Sequence, residues 1–455
     1  MKQKKLVKKV FKKEIPWFDG LLDDEKIALD LSKHGLKVKA SKNSMCVYCR
    51  MAKLLCGRKR CPLLAKMSYL AKSLVKVKGS RTLDGSSPPS IFVGRYGYPY
   101  VYAGPVAPPI VGDTSFYDLP EKWRNIALDE FLELRLSLVR GKELVNVKKA
   151  AKKGRLVEAM QELALSSKPV DVELVFKKPV RGTLLLDDSV QPFGPSGLLK
   201  DFKVGEVSWH KPLERAVYDY DLKAQEAVLE LYMKNVPVSA IQRAFSVGVL
   251  GLKRYRRMVP TRWSITAVDS VLSSYLRERV KDFPTISEFR VYVAEVMSSR
   301  FVVLLFPSKW KFEFLEAWFP GSAWNAFGRG VGIGGDWEGF KGRTSYASIG
   351  GCYYACRLAV SEHLFKIGRQ AGALVLRESY PEHSMPVGVW LVREAVREAL
   401  SRGGLRFETL EEALEHVKRE LKVPLNVWIS VSKLLQELLY QEKLDKYVSK
   451  GRALP

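Results

Sequence analysis

Four cysteines lie close together near the start of this chain, and they constrain its fold more than any other feature. They are Cys46, Cys49, Cys56 and Cys61, in a chain with six cysteines among 455 residues. Four thiolates match the ligand number of a tetrahedral zinc site, and the spacing of the first pair lets one turn supply two ligands. The spacing predicts a small zinc knuckle with a structural role, because four protein ligands leave no position open for chemistry.

Two other interpretations of the cysteine cluster remain open. Cysteine-rich loops that end in Cys-Pro, as Cys61-Pro62 does, also hold iron–sulfur clusters. Alternatively, the four thiols are unrelated buried side chains. Six cysteines are too few for the disulfide framework of a secreted protein. The cluster therefore favours a metal site in a reducing compartment, and we expect a cytoplasmic protein.

The net charge of the chain is strongly positive. Lysine and arginine number 75 against 49 acidic residues, which gives a formal charge of +26. Such an excess attracts polyanions, above all nucleic acid. No apolar run approaches the roughly 20 residues of a membrane-spanning helix, so we expect no membrane association. Asparagine (6) and glutamine (8) are scarce beside lysine, arginine and glutamate, a bias typical of thermophiles.

The order of helix and strand signals predicts an α+β fold. Helical patterns cover 122–165, 212–258, 352–370 and 387–400, and strand patterns cover 170–187, 289–293 and 301–306. Residues 86–120 contain too many prolines and glycines for helices and predict short strands and loops. We expect three parts: a basic arm with the cysteine module (1–75), an α+β domain (76–300) and a mostly helical C-terminal domain with a glycine-rich loop (301–455).

Alternating tyrosines form the first candidate contact for nucleic acid. Tyr96, Tyr98, Tyr100 and Tyr102 would share one face of an extended strand, about 6.5–7 Å apart. That arrangement predicts a ladder on which unpaired bases stack, with Arg95 beside it for phosphate. An edge strand whose tyrosines cover a core would show the same alternation, and the neighbouring proline suits such an edge. Both interpretations remain open.

A dense run of cations is the second candidate contact. Lys253, Arg254, Arg256 and Arg257 surround one tyrosine, and Arg262 follows next to a tryptophan. Lysine-rich solvated faces are common on proteins, but an arginine-rich run of this density is less so. The run favours contacts with backbone phosphates.

The glycine-rich loop at 328–351 is a weaker candidate. It contains Arg329 and Arg343, and backbone amides in such loops can cradle phosphate. The loop has neither the P-loop spacing nor the dinucleotide-binding spacing. An ordinary surface loop is therefore the default interpretation.

Acidic pairs are the main sequence signal for metal-dependent catalysis. The pairs are Asp187/Asp188, Asp219/Asp221 and Asp336/Glu338. Paired carboxylates can hold Mg²⁺, as nucleases require, but none of these pairs has a recognised spacing. The catalytic residues, if the protein is an enzyme, are unknown at this stage.

Several of these stretches resemble the archaeal Nre family of DNA-repair proteins. The resemblance rests on the four-cysteine cluster and on Phe92-Val-Gly-Arg-Tyr-Gly-Tyr-Pro99, Gly104-Pro105, Gly112-Asp-Thr114, Leu165-Ser-Ser-Lys-Pro-Val-Asp171, Val259-Pro-Thr-Arg-Trp-Ser-Ile-Thr-Ala-Val-Asp269, Gly342-Arg-Thr-Ser-Tyr-Ala347, Gly350-Gly-Cys-Tyr-Tyr-Ala355 and Pro386-Val-Gly-Val-Trp390. The resemblance implies a role in DNA repair and supplies no reaction.

The resemblance also directs attention to the C-terminus. Many members of the family end in a motif that binds the PCNA sliding clamp, of the form Gln-x-x-hydrophobic-x-x-aromatic-aromatic. The nearest run here is Gln441-x-x-Leu444-x-x-Tyr447, which Val448 follows in place of an aromatic residue. A plain amphipathic helix explains this spacing equally well.

The leading hypothesis is a DNA-associated repair protein that binds single-stranded or distorted DNA through cations and tyrosines. RNA remains an alternative partner, because charge and aromatic rings serve both nucleic acids. A second hypothesis is an enzyme near the glycine-rich loop, either a metal-dependent nuclease or a nucleotide-using transferase. A third is an adaptor that recruits the sliding clamp or repair partners.

Overall fold

The computed structural model describes residues 36–40, 49, 53–56, 61–77, 80–124, 126–149, 154–186 and 193–440. Within them, the chain forms two six-stranded mixed sheets and one two-stranded sheet, with helices packed on them. This architecture confirms the predicted α+β class. Among the described residues, no helix combines the length and the apolar character that crossing a membrane requires.

The strands and helices are numbered in chain order. The strands are β1 (Leu36–Ala40), β2 (Thr82–Ser87), β3 (Ser90–Val93), β4 (Tyr100–Ala107), β5 (Val139–Asn146), β6 (Val170–Phe176), β7 (Gly182–Leu186), β8 (Ser196–Val204), β9 (Phe289–Val296), β10 (Ser299–Phe306), β11 (Lys311–Trp318), β12 (Gly332–Glu338), β13 (Gly372–Ser379) and β14 (Leu405–Phe407). The α-helices are α1 (Pro62–Val77), α2 (Leu128–Ser137), α3 (Arg155–Leu165), α4 (Lys211–Tyr218), α5 (Ala224–Met233), α6 (Val238–Ser246), α7 (Thr261–Val280), α8 (Gly351–Ile367), α9 (Trp390–Ser401), α10 (Leu410–Glu420), α11 (Leu425–Val431) and α12 (Lys433–Tyr440).

The N-terminal sheet has the strand order β2-β6-β8-β5-β4-β3. Its β6 shows the alternation that the sequence predicts, with Val170, Val172, Leu174 and Phe176 all buried. These side chains join one core with residues of α3, α5, α6 and α7. One face of the sheet is therefore covered by helices, as the period-2 pattern requires.

The C-terminal sheet has the order β12-β11-β13-β10-β9-β14 and is covered on both faces. In β10, Val303 and Leu305 pack with residues of α8 and α9, whereas Val302 and Leu304 pack with residues of α10, α11 and α12. A strand buried on both faces needs a continuous apolar run instead of an alternating one. The run at 301–306 meets that requirement and confirms the predicted strand.

Three helices start at the same end of the molecule. Residues later in α7 contact residues later in α8. Near the start of both helices, a Cβ on Gly351 would lie 2.8 Å from Thr266 Oγ1. In the middle, Arg357 Nε donates to Ser273 Oγ at 3.1 Å. Near the end, the ring of Phe365 lies 5.9 Å from a phenylalanine just beyond α7. The two helices are therefore parallel.

Helix α9 runs in the same direction as its two neighbours. Val389, just before α9, lies against Gly351 at the start of α8, and a Cβ on that glycine would be 3.2 Å from the valine Cγ1. Further along, Arg397 of α9 donates to Glu362 of α8 at 2.7 Å. The N-termini of α7, α8 and α9 therefore lie together, and we call this end of the molecule the helix-start end.

The structure corrects three expectations from the sequence. The stretch predicted as helical at 122–165 contains β5, and the glycine-rich loop contains β12. The C-terminal part, expected to be mostly helical, contributes β11, β12, β13 and β14 to its own sheet. The domain boundary expected after residue 300 stays a prediction; β9 and β10, which lie at this boundary, form a hairpin that begins with the pair Ser299 and Val296. β5 and β12 are strands because each pairs with neighbouring strands of its sheet, which overrides the local pattern.

Candidate nucleic-acid interface

The alternating tyrosines lie on the hairpin that joins β3 to β4, and we call residues 94–102 the tyrosine hairpin. The Gly94 N–H donates to the carbonyl of Tyr102 at 2.8 Å, and the Tyr100 N–H donates to the carbonyl of Gly97 at 2.9 Å. Gly97 has a φ of +83°, a left-handed conformation that glycine adopts without steric cost. The chain therefore turns at 95–99 instead of continuing as a strand.

This turn divides the predicted ladder of four tyrosines. Tyr100 and Tyr102 lie on β4, where they point outward and are 55% and 45% exposed. Tyr96 and Tyr98 lie in the turn, and Arg95 covers the Tyr96 ring at 5.0 Å. The expectation of four tyrosines on one strand face is wrong, because the turn of the hairpin interrupts the strand. All four rings are nevertheless exposed.

The tyrosine hairpin packs against the first turn of α7. The rings of Tyr98 and Trp263 are 5.5 Å apart between centroids. The Val93 N–H donates to Thr261 Oγ1 at 2.8 Å, which fixes the hairpin to the helix start. Trp263 remains 46% exposed beside the tyrosines. Two sequence motifs far apart in the chain thus form one aromatic surface.

The cationic run also reaches this surface, and we call residues 253–257 the basic segment. It begins with a short 3₁₀ turn, Lys253–Tyr255. Directly after it, the Met258 N–H donates to the Val147 carbonyl at 3.0 Å, and the Val147 N–H donates to the Pro99 carbonyl at 3.0 Å. Backbone hydrogen bonds therefore hold the basic segment next to the tyrosine hairpin.

The cations of the basic segment have different surroundings. Lys253, Arg254 and Arg257 are exposed, whereas Arg256 is half-buried and donates to three backbone carbonyls at 2.7 to 3.0 Å. Burial lowers the pKa of Arg256. Because its guanidinium is already engaged, Arg256 stabilises the segment, and its three neighbours are the cations available to phosphate.

A second group of aromatic rings borders the basic segment, and sequence reasoning identified only Tyr255 of its three tyrosines. Tyr218, Tyr220 and Tyr255 are 60%, 43% and 64% exposed. Lys253 Nζ lies 4.4 Å from the Tyr220 ring, and the guanidinium of Arg254 lies 4.8 Å from the Tyr255 ring. The alternation of tyrosine with aspartate at 218–221 was available as a signal, although only its acids attracted notice.

The helix-start end gives this surface a positive character beyond its side chains. The starts of α7, α8 and α9 have no side-chain cap and no acidic residue in the first turn. Backbone N–H groups at such helix starts carry partial positive charge and favour anions. Arg262, in the first turn of α7, is exposed and adds a full charge there.

The charge of Arg262 acts on the neighbouring helix start as well. Burial raises the pKa of the Cys352 thiol, which lies at the start of α8, and Glu316 raises it further. Arg377 and Arg262 oppose that rise. Both guanidinium groups therefore lie close to the first turn of α8, where Arg262 is exposed and Arg377 is buried and paired with Glu316.

The two arginines of the glycine-rich loop differ in their surroundings. Arg329 is exposed. Arg343 forms an ion pair with Asp336, donates to the Trp337 carbonyl at 2.7 Å and lies 5.1 Å from the Tyr353 ring. Arg343 is therefore held within the protein, and of the two only Arg329 is open to a ligand.

The acidic pair of β12 is occupied by arginines. Burial alone would raise the pKa of Asp336, but the Ser348 N–H and the Arg343 guanidinium outweigh burial and lower it. Glu338 is buried and pairs with Arg357 at 2.7 Å. Guanidinium groups thus take the positions that Mg²⁺ would need.

The other acidic pairs offer no clear metal site. Asp219 Oδ1 accepts from the N–H groups of Asp221 and Leu222 and stabilises a turn. Asp187 and Asp188 lie outside the described residues. Within the described part of the chain, no group of three or more histidine, cysteine, aspartate and glutamate side chains is placed to hold a metal ion.

The cysteine cluster is described only in part. Cys49 is buried, Cys56 and Cys61 are partly exposed, and Cys46 lies outside the described residues. The pKa of Cys61 is raised mainly by burial, and the thiols of Cys49 and Cys56 raise it further. Cys49 and Cys56 therefore act electrostatically on Cys61, but in the structure the three described thiols are not arranged as the ligands of one metal ion. The candidate clamp residues Gln441, Leu444 and Tyr447 lie outside the described residues.

Four of the motifs on which the family resemblance rests lie at the helix-start end. The motif at 92–99 forms most of the turn of the tyrosine hairpin, and 259–269 begins α7. The motifs at 350–355 and 386–390 begin α8 and lead into α9. Residues 342–347 precede α8, and the Ala347 N–H donates to a tyrosine of that helix, Tyr354, at 3.1 Å. Stretches spread over about 300 residues of sequence thus surround one surface.

Comparison with known proteins gives a consistent result. The N-terminal region of archaeal Nre proteins matches residues 55–325, and their C-terminal region matches residues 338–447. The DNA repair protein NreB of Archaeoglobus fulgidus is 43% identical over 392 residues, which cover 86% of this chain and 97% of the relative. The DNA repair protein NreA of the same organism is 37% identical over 83% of this chain and 94% of the relative.

A relative from a second organism extends the comparison. The DNA repair protein NreA of Haloferax volcanii is 36% identical over 76% of this chain and 84% of the relative. No solved structure matches the chain. Because both family regions match and the relatives align over most of their length, the chain belongs to the archaeal Nre family of DNA repair proteins.

Proposed function

We propose that this protein acts in DNA repair by binding DNA on the surface formed by the tyrosine hairpin, Trp263 and the basic segment. One observation carries the proposal. Exposed aromatic rings from one part of the chain and exposed cations from another are held side by side by Tyr98, Trp263 and the backbone bonds of Val147. Cations supply affinity through release of counterions, and aromatic rings supply stacking.

The exposed rings favour unpaired DNA over an intact duplex. Bases in a duplex are stacked on one another, so their faces are closed to Tyr100 or Trp263, whereas unpaired bases can stack on aromatic side chains. Stacking on aromatic rings accepts any base, because every base has a π face. We therefore propose single-stranded or distorted DNA as the ligand, without strong sequence preference.

We further propose that the cysteine cluster holds zinc. The number and spacing of the four cysteines support this proposal, because four thiolates are the ligand set of a structural zinc site. A bound Zn²⁺ would be held by the four cysteines and would stabilise the segment that precedes α1. Metal analysis of the purified protein and of its Cys49→Ser variant should find one zinc, reduced in the variant. Bound iron together with an absorbance band near 400 nm would instead show that the cysteines hold an iron–sulfur cluster.

Fluorescence anisotropy tests the DNA-binding proposal. Labelled single-stranded DNA, duplex DNA and RNA would be titrated with the full chain across a salt series. Trp263→Ala should weaken binding to single strands about 5- to 150-fold, whereas Trp263→Phe should keep most of the affinity. Tyr440→Ala removes a ring on α12 that is 72% exposed, more than the 46% of Trp263, and should change nothing.

Two results would overturn this proposal. Absence of binding at low salt would remove DNA as a direct ligand. Binding that Trp263→Ala leaves unchanged would place DNA elsewhere on the protein. Each mixture run on a gel with and without Mg²⁺ would reveal cleavage and so identify a nuclease, and preferential binding of RNA would change the assigned partner.

A further inference from the structure

Residues 319–331 form the loop that connects β11 to β12, and hydrogen bonds hold the first half of this loop in place. The Phe319 N–H donates to the Ser379 carbonyl at 3.0 Å, and the Ala323 N–H donates to the His383 carbonyl at 2.9 Å. Asn325 Nδ2 donates at 2.8 Å to two carbonyls, one before and one within the loop. These bonds tie the first half of the loop to the end of β13 and to the segment that follows it.

Trp324 lies in the first half of the loop, and its aromatic side chain is exposed to solvent. Its ring stacks on His383 with centroids 5.4 Å apart and an interplanar angle of 21°, and the Arg377 guanidinium lies 4.9 Å from the ring. Both partners are fully buried, so they contact the tryptophan from the protein side. The ring is nevertheless 43% exposed, which leaves its outer side open.

The support beneath Trp324 is rigid. Arg377 pairs with Glu316 at 2.7 Å and donates to Ser299 Oγ at 3.2 Å. His383 Nδ1 donates a hydrogen bond to the Met297 carbonyl at 2.9 Å, because a carbonyl oxygen can only accept. A tryptophan held in this way loses little conformational entropy when a flat ligand stacks on it.

The loop lies at the same end of the molecule as the candidate DNA surface. β11 and β13 are parallel, with Trp318 opposite Ser379, so both strands end at the side where the chain turns toward the start of α9. That start lies against the start of α8, and α8 lies against α7, whose first turn contacts the tyrosine hairpin. The loop is therefore a continuation of the helix-start end.

The charge of the loop suits a nucleic acid. Residues 319–331 contain one arginine, Arg329, and no aspartate or glutamate. Arg329 is exposed at the tip together with Phe327. An exposed ring with a nearby cation and no acid is the combination that binds unpaired nucleotides, by stacking on the base and attraction of the phosphate.

We propose that the exposed side of Trp324 is a second stacking platform, which holds an unpaired base of a strand that is also bound on the tyrosine hairpin. The inference rests on the proposed function and extends it across the helix-start end to the C-terminal sheet. In this arrangement Arg329 binds the phosphate next to the base that stacks on Trp324. A strand long enough to reach both platforms gains the second contact, and a shorter one does not.

The test compares two lengths of single-stranded DNA and uses a second exposed tryptophan as the control. A single strand of about 6 nucleotides lies near the lower limit of the site sizes of single binding folds, and one of about 30 nucleotides lies well above their upper limit. Trp324→Ala in the full chain should weaken binding of the long strand about tenfold and leave the short strand unchanged, and Trp324→Phe should restore most of the loss. Trp337→Ala is the control, because Trp337 is 40% exposed at the opposite end of β12.

A fluorescent base analogue provides a second readout. Long strands with single 2-aminopurine substitutions should show one region quenched by wild-type protein and released by Trp324→Ala. Equal affinity and equal quenching for Trp324→Ala and wild type would overturn the inference while the proposed function stands. Failure of the wild-type protein to bind either strand would instead overturn the proposed function.

Discussion

Arginine has opposite surroundings in the basic segment and in the core of the C-terminal half. In the basic segment, Arg254 and Arg257 are exposed, and in the described part of the chain neither forms an ion pair. In the C-terminal half, Arg357, Arg377 and Arg393 are buried, and each pairs with a carboxylate at 2.7 to 3.0 Å. The same residue type is thus exposed in the basic segment and part of the core in the C-terminal half.

This difference shows what a net charge of +26 can and cannot reveal. A buried arginine needs a carboxylate partner because desolvation of an unpaired charge is costly. Its charge is then cancelled locally and does not reach phosphate in solution. The capacity to bind DNA therefore depends on the few exposed cations beside aromatic rings, and the following predictions test that division.

The largest effect should come from a buried pair. Arg393 donates two bonds to Asp269, both at 3.0 Å. Arg393→Met should lower the free energy of unfolding by about 3–5 kcal/mol, because the carboxylate loses its partner. Urea unfolding of the full chain measures this loss. Asp269→Leu combined with Arg393→Met should recover most of it, and a double variant as unstable as the single one would contradict the explanation.

Protonation of the buried core should have the next largest effect. The pKa of His363 is lowered to about 4, first by burial and then by Arg290 and Lys366. The unfolded chain titrates near 6.5, so between these values it binds a proton that the folded chain does not. Stability should therefore fall by up to about 3 kcal/mol as the pH decreases from 6.5 to 4.

His363→Gln identifies the residue responsible. Urea unfolding between pH 4 and 7 should be less dependent on pH in this variant, while His210, whose pKa is also lowered by burial, accounts for a remaining slope. An identical pH dependence in the variant and the wild type would show that His363 does not carry the effect.

Neutralising the basic segment should affect binding and not stability. We expect Lys253→Gln, Arg254→Gln and Arg257→Gln together to weaken single-strand binding about a hundredfold at low salt. The slope of log affinity against log salt should decrease by about 2, because each phosphate contact on a single strand contributes about 0.7. Anisotropy titrations at several salt concentrations measure the slope. An unchanged slope would exclude these cations as phosphate contacts.

The smallest effect should come from exposed cations outside the surface. The side chains of Arg402, Arg406 and Lys418 are 52%, 68% and 59% exposed, and each pairs with a glutamate. Their joint replacement by glutamine removes the same charge as the previous variant. Stability should change by less than about 1 kcal/mol per pair. A loss of DNA affinity as large as in the basic-segment variant would mean that total charge, and not its position, determines binding.

Local patterns in the sequence predicted a large part of the fold. The alternation at 170–176 and the apolar run at 301–306 specify strands because each pattern has only one way to bury its side chains. β12, with three glycines among its seven residues, has little strand preference of its own. It is a strand because it pairs with β11, which is a partner that no local window contains.

The candidate site shows the same limit. The tyrosines and the cationic run are visible in the sequence as residue types, but the contact of Tyr98 with Trp263 depends on the completed fold. The sequence also could not distinguish Arg256 and Arg343, which bind the protein, from Arg254 and Arg329, which are exposed. That distinction depends on burial and partners, and both are properties of the tertiary structure.

Photo-crosslinking tests the central claim most directly, because it reports where DNA lies on the protein. Single strands with 5-iodouracil at successive positions would be crosslinked to the full chain, and the attached peptides identified by mass spectrometry. The account predicts crosslinks within residues 94–102 and 253–263. Efficient crosslinking confined to other parts of the chain, such as the helices after β14, would contradict it.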